Sequence, residues 1–110
     1  MDTPAIKRQL KIKTGALQRL LKENGLYAKE IGDLEIRREK FIADNREEWD
    51  IKNVGKLIEE SKKMVQDTQT RMSKAALDLR DLVNAAKKQE ALAEDEDLLK
   101  AEEVLGNANL

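Results

Sequence analysis

The fold is decided by residues 51–86, IKNVGKLIEESKKMVQDTQTRMSKAALDLRDLVNAA, in which apolar residues recur at alternating intervals of three and four. The recurring positions are Ile51, Val54, Ile58, Ser61, Val65, Thr68, Met72, Ala75, Leu79, Leu82 and Ala86. Only Ser61 and Thr68 among them are polar. Such spacing is typical of a helix that packs along a coiled-coil seam. We therefore predict a long helix over about residues 51–88, with Asp50 as its N-cap.

A seam of the same kind runs through the first part of the chain. Its positions are Ile6, Leu10, Lys13, Leu17, Leu20, Asn24, Tyr27, Ile31, Leu34, Arg38 and Phe41. The pattern predicts a first helix over about residues 4–43, and Asn24 is a seam residue that can fix the register. Because the connection to the second helix is short, the two helices must run antiparallel.

A third, shorter helix is predicted over about residues 95–108. Its apolar stripe is formed by Leu98, Ala101, Leu105 and Ala108, with Leu99 beside it. It follows the second helix directly and turns back, so we expect the acidic residues 94–97 to lie near the basic start of the first helix. The predicted fold is all-α: an up-down-up antiparallel three-helix bundle with coiled-coil-like packing, formed by residues 1–110 as one domain.

The composition excludes most catalytic chemistry. The sequence contains no His and no Cys, which removes the commonest general bases, metal ligands and activated nucleophiles. It also contains no phosphate-binding loop, EF-hand or dinucleotide fingerprint. The net charge is -1 and aromatic residues make up only 3% of the chain. We therefore expect a soluble intracellular protein that is not an enzyme, needs no cofactor, and binds neither nucleic acid nor membranes.

Apolar residues outside the seam suggest a surface for a partner. Leu57 and Met64 flank the seam of the second helix, and Trp49 lies at the same end as Phe41 and Ile42. One interpretation is a partly exposed apolar strip that binds another protein. The alternative is that Trp49 and Phe41 close the open end of the bundle.

Three glycines of the first helix leave a second question open. Gly15, Gly25 and Gly32 fall on its outer face, away from the seam. Each is either tolerated in a helix that packing already stabilises, or allows the backbone of a partner to approach closely.

Two stretches of the chain resemble the tubulin-binding cofactor A family. They are residues 9–30, QLKIKTGALQRLLKENGLYAKE, and residues 49–80, WDIKNVGKLIEESKKMVQDTQTRMSKAALDLR, about half of the chain. The KIKTG run and the combination of D-I-K with E-S are the specific features, since any coiled coil supplies Leu and Lys. Two positions depart from the family pattern: Gln66 stands where the family usually has a Pro, and Trp49 where it usually has a Tyr.

The resemblance implies a chaperone that captures β-tubulin folding intermediates after the cytosolic chaperonin and holds them for assembly of the α/β-tubulin heterodimer. It implies a location in the cytoplasm with the microtubule cytoskeleton, and other tubulin-folding cofactors as further partners. Carried over residue by residue, the family contacts are Lys11, Lys13, Arg19, Lys22, Lys52, Glu60 and Arg71. The surface argument given above adds Trp49, Leu57 and Met64.

A second hypothesis explains the same heptads without tubulin. The chain would then be a coiled-coil adaptor or a self-associating structural module, either a monomer or a homodimer. The KIKTG and D-I-K features favour the chaperone.

Overall fold

The computed structural model describes residues 2–108 and contains three α-helices. These are α1 (Thr3–Ala43), α2 (Glu48–Lys87) and α3 (Glu96–Ala108), and a short 3-10 helix, Glu90–Leu92, precedes α3. Every regular element in this range is helical. The predicted fold class, with two long helices and one shorter C-terminal helix, is confirmed. The helix α2 runs through Gln66 without interruption, as the absence of proline predicts.

A left-handed turn at Asn45 ends α1. Its φ is 54°, a conformation that Asn adopts more readily than most residues. The N–H of Asn45 donates to the carbonyl of Ile42 at 3.2 Å, and that of Arg46 to the carbonyl of Phe41 at 2.9 Å. This pair of bonds is a Schellman motif, which satisfies carbonyls that would otherwise be left without partners at the end of the helix.

The prediction that Asp50 caps α2 is wrong. The carbonyl of Glu47 accepts the first bonds of the helix, from the N–H groups of Asp50 at 3.0 Å and Ile51 at 3.3 Å. Asp50 therefore lies within the first turn, where its carboxylate binds Nε of Arg46 at 3.2 Å. The helix begins earlier than predicted because the turn at Asn45 reverses the chain within a few residues.

Two compact units make up the chain, and each is described by itself. The first combines α1 up to Leu21 with α2 from Thr70 and with α3; the second spans Lys22–Gln69. That both units form one domain, as the sequence predicts, stays a prediction.

The first unit contains the larger core. Its buried residues come from all its helices and are Ile6, Leu10, Leu17, Met72, Ala76, Leu79, Val83, Ala86, Leu92, Leu98, Ala101 and Val104. Ala76 and Val83 lie beside the predicted seam and are buried here because α3 gives α2 a second packing partner. Leu92, in the 3-10 helix, and Val104 are two core residues that the sequence pattern did not identify.

Asp95 joins the start of α3 to α1 within the first unit. Its Oδ2 accepts a hydrogen bond from the N–H of Asp97 at 2.9 Å. Asp95 is therefore the N-cap of α3, which begins at the next residue. Its Oδ1 lies 2.5 Å from Nζ of Lys7, and Oδ2 of Asp97 lies 3.3 Å from the same ammonium. The hydrogen bond from Lys7 lowers the pKa of Asp95, and the same bond raises the pKa of Lys7. The expected proximity of basic and acidic segments is therefore observed.

The second unit is an antiparallel helix pair with a small apolar core. Leu34, Val54 and Ile58 are buried, and Ile31 and Phe41 pack against them. The seam of the pair also contains polar residues, since Ser61 and Thr68 are buried as well.

Asn24 joins the two helices of this pair across the polar seam. Its Nδ2 donates to Oγ1 of Thr68 at 2.8 Å and to the carbonyl of Val65 at 3.2 Å. The hydroxyl of Thr68 in turn lies 2.9 Å from the carbonyl of Met64, to which it donates. Because these partners lie on opposite helices, they fit only one register.

The bond between Asn24 and Thr68 makes a testable contribution to stability. Thr68→Val keeps the side-chain volume but leaves the amide of Asn24 with only the carbonyl of Val65 as acceptor, so we expect a loss of about 1–2 kcal/mol in the free energy of unfolding. Urea unfolding followed by circular dichroism measures it. The double variant Asn24→Leu/Thr68→Val removes both polar groups and should recover most of the loss. A double variant that loses the sum of the two single losses would contradict this account.

The ion pair of Asp95 should make stability depend on pH in a defined direction. A carboxylate whose pKa is lowered by folding stabilises the fold at pH values above its pKa in the unfolded chain, here 3.8. It loses that contribution as the pH falls through its pKa in the folded protein. The ammonium of Lys7, whose pKa is raised by folding, stabilises the fold at pH values below its pKa in the unfolded chain, 10.5. It loses that contribution as the pH rises through its pKa in the folded protein.

Asp95→Asn isolates this effect, because Asn is also a good N-cap. We expect the variant to be less stable than the wild type between about pH 5 and 9, and the difference to shrink below pH 3.8. Thermal melts across this range are the measurement, with Glu94→Gln as the matched control. A difference that stays constant down to pH 2 would show that the charge is not its cause.

Candidate partner-binding surface

One face of α2 in the second unit carries large, exposed apolar side chains. We call Trp49, Asn53, Leu57, Glu60 and Met64 the α2 strip. Their intervals of four and three residues place them along one side of the helix. Trp49 is 69% exposed, Leu57 36% and Met64 38%. The α2 strip is therefore a continuous surface that combines apolar groups with an amide and a carboxylate.

Lysines form one edge of the α2 strip. Lys52, Lys56 and Lys63 are all exposed and follow one another at helical spacing. The ammonium of Lys52 lies 3.2 Å from the carboxylate of Glu48, but both side chains are more than 70% exposed, so this pair is weak and easily exchanged for another partner. Trp49, Lys52, Asn53 and Lys56 line a shallow depression of about 260 Å³.

Trp49 and Phe41 have different roles. Phe41 packs against the small core of the second unit, and the guanidinium of Arg46 lies 4.4 Å from the centroid of its ring. The indole of Trp49 remains mostly in solvent. Closure of the helix pair is therefore the role of Phe41 alone, whereas Trp49 is free to contact another molecule.

The residues predicted from family resemblance are divided between the two units. Lys52 and Glu60 belong to the α2 strip or its edge, and Lys22 is exposed on α1 of the same unit. Lys11, Lys13, Arg19 and Arg71 belong to the first unit. All of these are exposed except Lys13, which is half-buried. Arg71 also interacts within the chain.

Two of the residues that line the depression around Trp49, Asn53 and Lys56, were missed by sequence reasoning. They follow Trp49 by four and seven residues, so helical spacing from the exposed Trp was the signal that could have found them. Charge alone could not, because lysines are frequent on every outer face of this chain.

The described part of the chain offers little for other kinds of site. Between residues 2 and 108, no group of three or more acidic side chains is arranged to hold a metal ion. No helix in that range has both the length and the apolar character required to cross a membrane.

Comparisons with known proteins agree with the fold and with the quoted motifs. The family model described as tubulin binding cofactor A matches residues 5–105. Tubulin-specific chaperone A from Homo sapiens is 41% identical over 96 residues, 87% of this chain and 81% of that protein. The Rattus norvegicus protein of that name is 38% identical over 103 residues, 94% of this chain and 93% of its own length.

Solved structures give the same result. The structure of human tubulin chaperone cofactor A superposes with a TM-score of 0.78 at 37% identity, covering 96% of this chain and 99% of that one. Tubulin folding cofactor A from Arabidopsis thaliana gives 0.87 at 25% identity, covering 96% of both chains.

The fold and these comparisons define the class: a helical binding cofactor that is not an enzyme. The chain belongs to the tubulin binding cofactor A family. The resemblance carried by KIKTG and D-I-K is thereby confirmed over almost the whole chain.

The exposure of Trp49 can be tested by fluorescence, since it is the one tryptophan of the sequence. We expect acrylamide to quench the folded protein nearly as well as the urea-unfolded protein, because the solvent already reaches the indole. N-acetyl-tryptophanamide gives the upper limit of quenching. Strong protection in the folded state, lost on unfolding, would show that Trp49 is buried in the bundle end instead.

Proposed function

We propose that the protein is a tubulin-folding chaperone that captures β-tubulin folding intermediates downstream of the cytosolic chaperonin and keeps them competent for assembly of the α/β heterodimer. Family membership supports tubulin as the partner. The exposed α2 strip is the observation that carries the mechanism, because it offers Trp49, Leu57 and Met64 to another protein without unfolding of the helix pair.

Capture on such a surface needs no chemistry. A folding intermediate exposes apolar groups that would otherwise aggregate. The apolar side chains of the α2 strip cover such groups, and Lys52, Lys56 and Glu60 orient the client by charge. Because the helix already holds these side chains in place, binding costs little ordering on the chaperone side.

The cellular setting follows from the proposed partner. The protein acts in the cytoplasm, in association with the microtubule cytoskeleton, and exchanges its client with other tubulin-folding cofactors. It works as a monomer or a homodimer, and sedimentation with and without client distinguishes the two.

Substitutions on the α2 strip test the surface. Trp49→Ala and Met64→Ser should each weaken the capture of β-tubulin released from chaperonin by about tenfold or more, since large apolar groups dominate such interfaces. Leu26→Ser is the matched control, because Leu26 is 57% exposed on α1 of the same unit. Helicity should be unchanged in all three. If both strip variants captured β-tubulin as well as the wild type does, the α2 strip would not be the binding surface.

The charged groups are tested separately. Lys52→Ala/Glu60→Ala should weaken capture by about twofold to tenfold, with a steeper effect at low salt, because exposed charges contribute modestly and are screened. Capture at the wild-type level at low salt would show that charge has no role. Parallel assays with α-tubulin test specificity: equal capture of α- and β-tubulin would contradict the assignment of β-tubulin as client.

A further inference from the structure

A second groove lies in the first unit and shares no residue with the α2 strip. Its volume is about 300 Å³, and it is lined by Lys11, Thr14, Gly15 and Gln18 of α1 and by Asp97 and Lys100 of α3. Nothing in the proposed capture mechanism uses these side chains.

Thr14 is the unusual member of this groove. It is only 4% exposed, and its Oγ1 is buried without a hydrogen-bond partner within the described residues. A buried hydroxyl in this state lowers the stability of the free protein. Threonine on a helix commonly adopts either of two χ1 rotamers, so the hydroxyl of Thr14 can change direction by rotation about one bond. It is an unused donor beside the charged and amide side chains of the groove, which are Lys11, Gln18, Asp97 and Lys100.

The charges around the groove favour an anion. Lys11 forms no ion pair with any residue between 2 and 108. Lys100 has only a long contact, 3.8 Å from the carboxylate of Glu103, and both side chains are more than half exposed. The carboxylate of Asp97 is already compensated by Lys7 at 3.3 Å. The donors that the groove offers to a carboxylate are therefore two ammonium groups, the hydroxyl of Thr14 and the amide of Gln18.

Gly15 leaves room beside the groove for the main chain of a polypeptide that carries the anion. A Cβ at this position would have nothing within 4 Å, and the residue has no positive φ, so the fold itself does not require glycine. Glycine inside a helix is unfavourable relative to alanine. What it provides is open space for another main chain to approach the helix.

We infer that this groove binds an aspartate or glutamate side chain on a peptide segment of a protein partner. Lys11 and Lys100 hold the carboxylate, Oγ1 of Thr14 donates a hydrogen bond to it, and Gly15 makes room for the backbone of the segment. The inference does not depend on the identity of the client captured by the α2 strip.

The test uses hexaglutamate as the probe and the full chain, labelled with ¹⁵N. Titration should shift the amide signals of Thr14, Gly15 and Gln18 and should weaken as salt is added. Hexaglutamine, without charge, should leave these signals in place. Acetate at the same carboxylate concentration should shift these signals far less. Equal shifts with acetate would show that the groove binds small anions and would contradict the inference of a peptide ligand.

Two variants separate binding from folding. Thr14→Val removes the unpartnered hydroxyl and Gly15→Ala removes the glycine, so both should raise the melting temperature of the free protein. Both should nevertheless weaken hexaglutamate binding, Thr14→Val by about tenfold. A lower melting temperature for Thr14→Val, or unchanged affinity in that variant, would overturn the role of the hydroxyl and with it the inference.

Charge variants give effects of opposite sign. Lys11→Met and Lys100→Met should each weaken binding by about twofold to fivefold, whereas Asp97→Asn should strengthen it. Lys74→Met, an exposed lysine on α2 of the same unit, is the matched control and should change the affinity by less than about twofold. If Lys74→Met weakened binding as much as Lys11→Met, the peptide would be held by general attraction to lysines and the groove would not be its site.

Discussion

Each long helix has a single apolar stripe, and the rest of the structure depends on how that stripe is covered. In the first unit α3 adds a second partner for α2, so that Ala76 and Val83 join the core beside the seam. In the second unit the two helices cover only each other, and the core is reduced to Leu34, Val54 and Ile58 with their neighbours. Side chains just beside the seam there, such as Leu57 and Met64, stay partly in solvent. The α2 strip is a direct consequence of this arrangement.

The polar seam residues serve specificity more than stability. Apolar contacts along a coiled-coil seam tolerate a shift of one heptad, whereas the hydrogen bonds of Asn24 to Thr68 and to the carbonyl of Val65 do not. Hydrogen bonds that fix the register matter most in a helix pair with so few buried apolar groups, because competing registers would bury nearly as much apolar surface. A fixed register in turn gives the exposed side chains of α2 fixed positions.

Periodicity predicted the helices well because helix formation and burial follow the same spacing of apolar residues. It failed where the answer depends on backbone conformation or on a third partner. The φ of Asn45 sets where α2 begins, and no residue pattern placed that start at Glu48. Leu92 and Val104 are buried because of where the 3-10 helix and α3 lie, which short stripes define poorly.

The candidate surface also contains some residues that could be identified from the sequence and others that could not. Trp49, Leu57 and Met64 could be identified from the sequence because they are apolar and fall outside the seam. Asn53 and Lys56 could not be distinguished from other polar residues until the depression around Trp49 was defined. Thr14 was invisible to the pattern for a different reason: it is polar and lies outside the seam, so nothing in the sequence marked it as buried.

In the proposed mechanism, a rigid helical surface also limits how tightly the protein holds its client. The exposed apolar groups of the α2 strip are few, and its charges are solvated and weakly paired, so each contact adds a modest increment. Little is lost in ordering, because the helix exists before binding. In the proposed mechanism, such a surface competes with aggregation of a folding intermediate yet yields to a partner that buries more area. Release can then be driven by the next binding partner of the client, with no energy source in the chaperone itself.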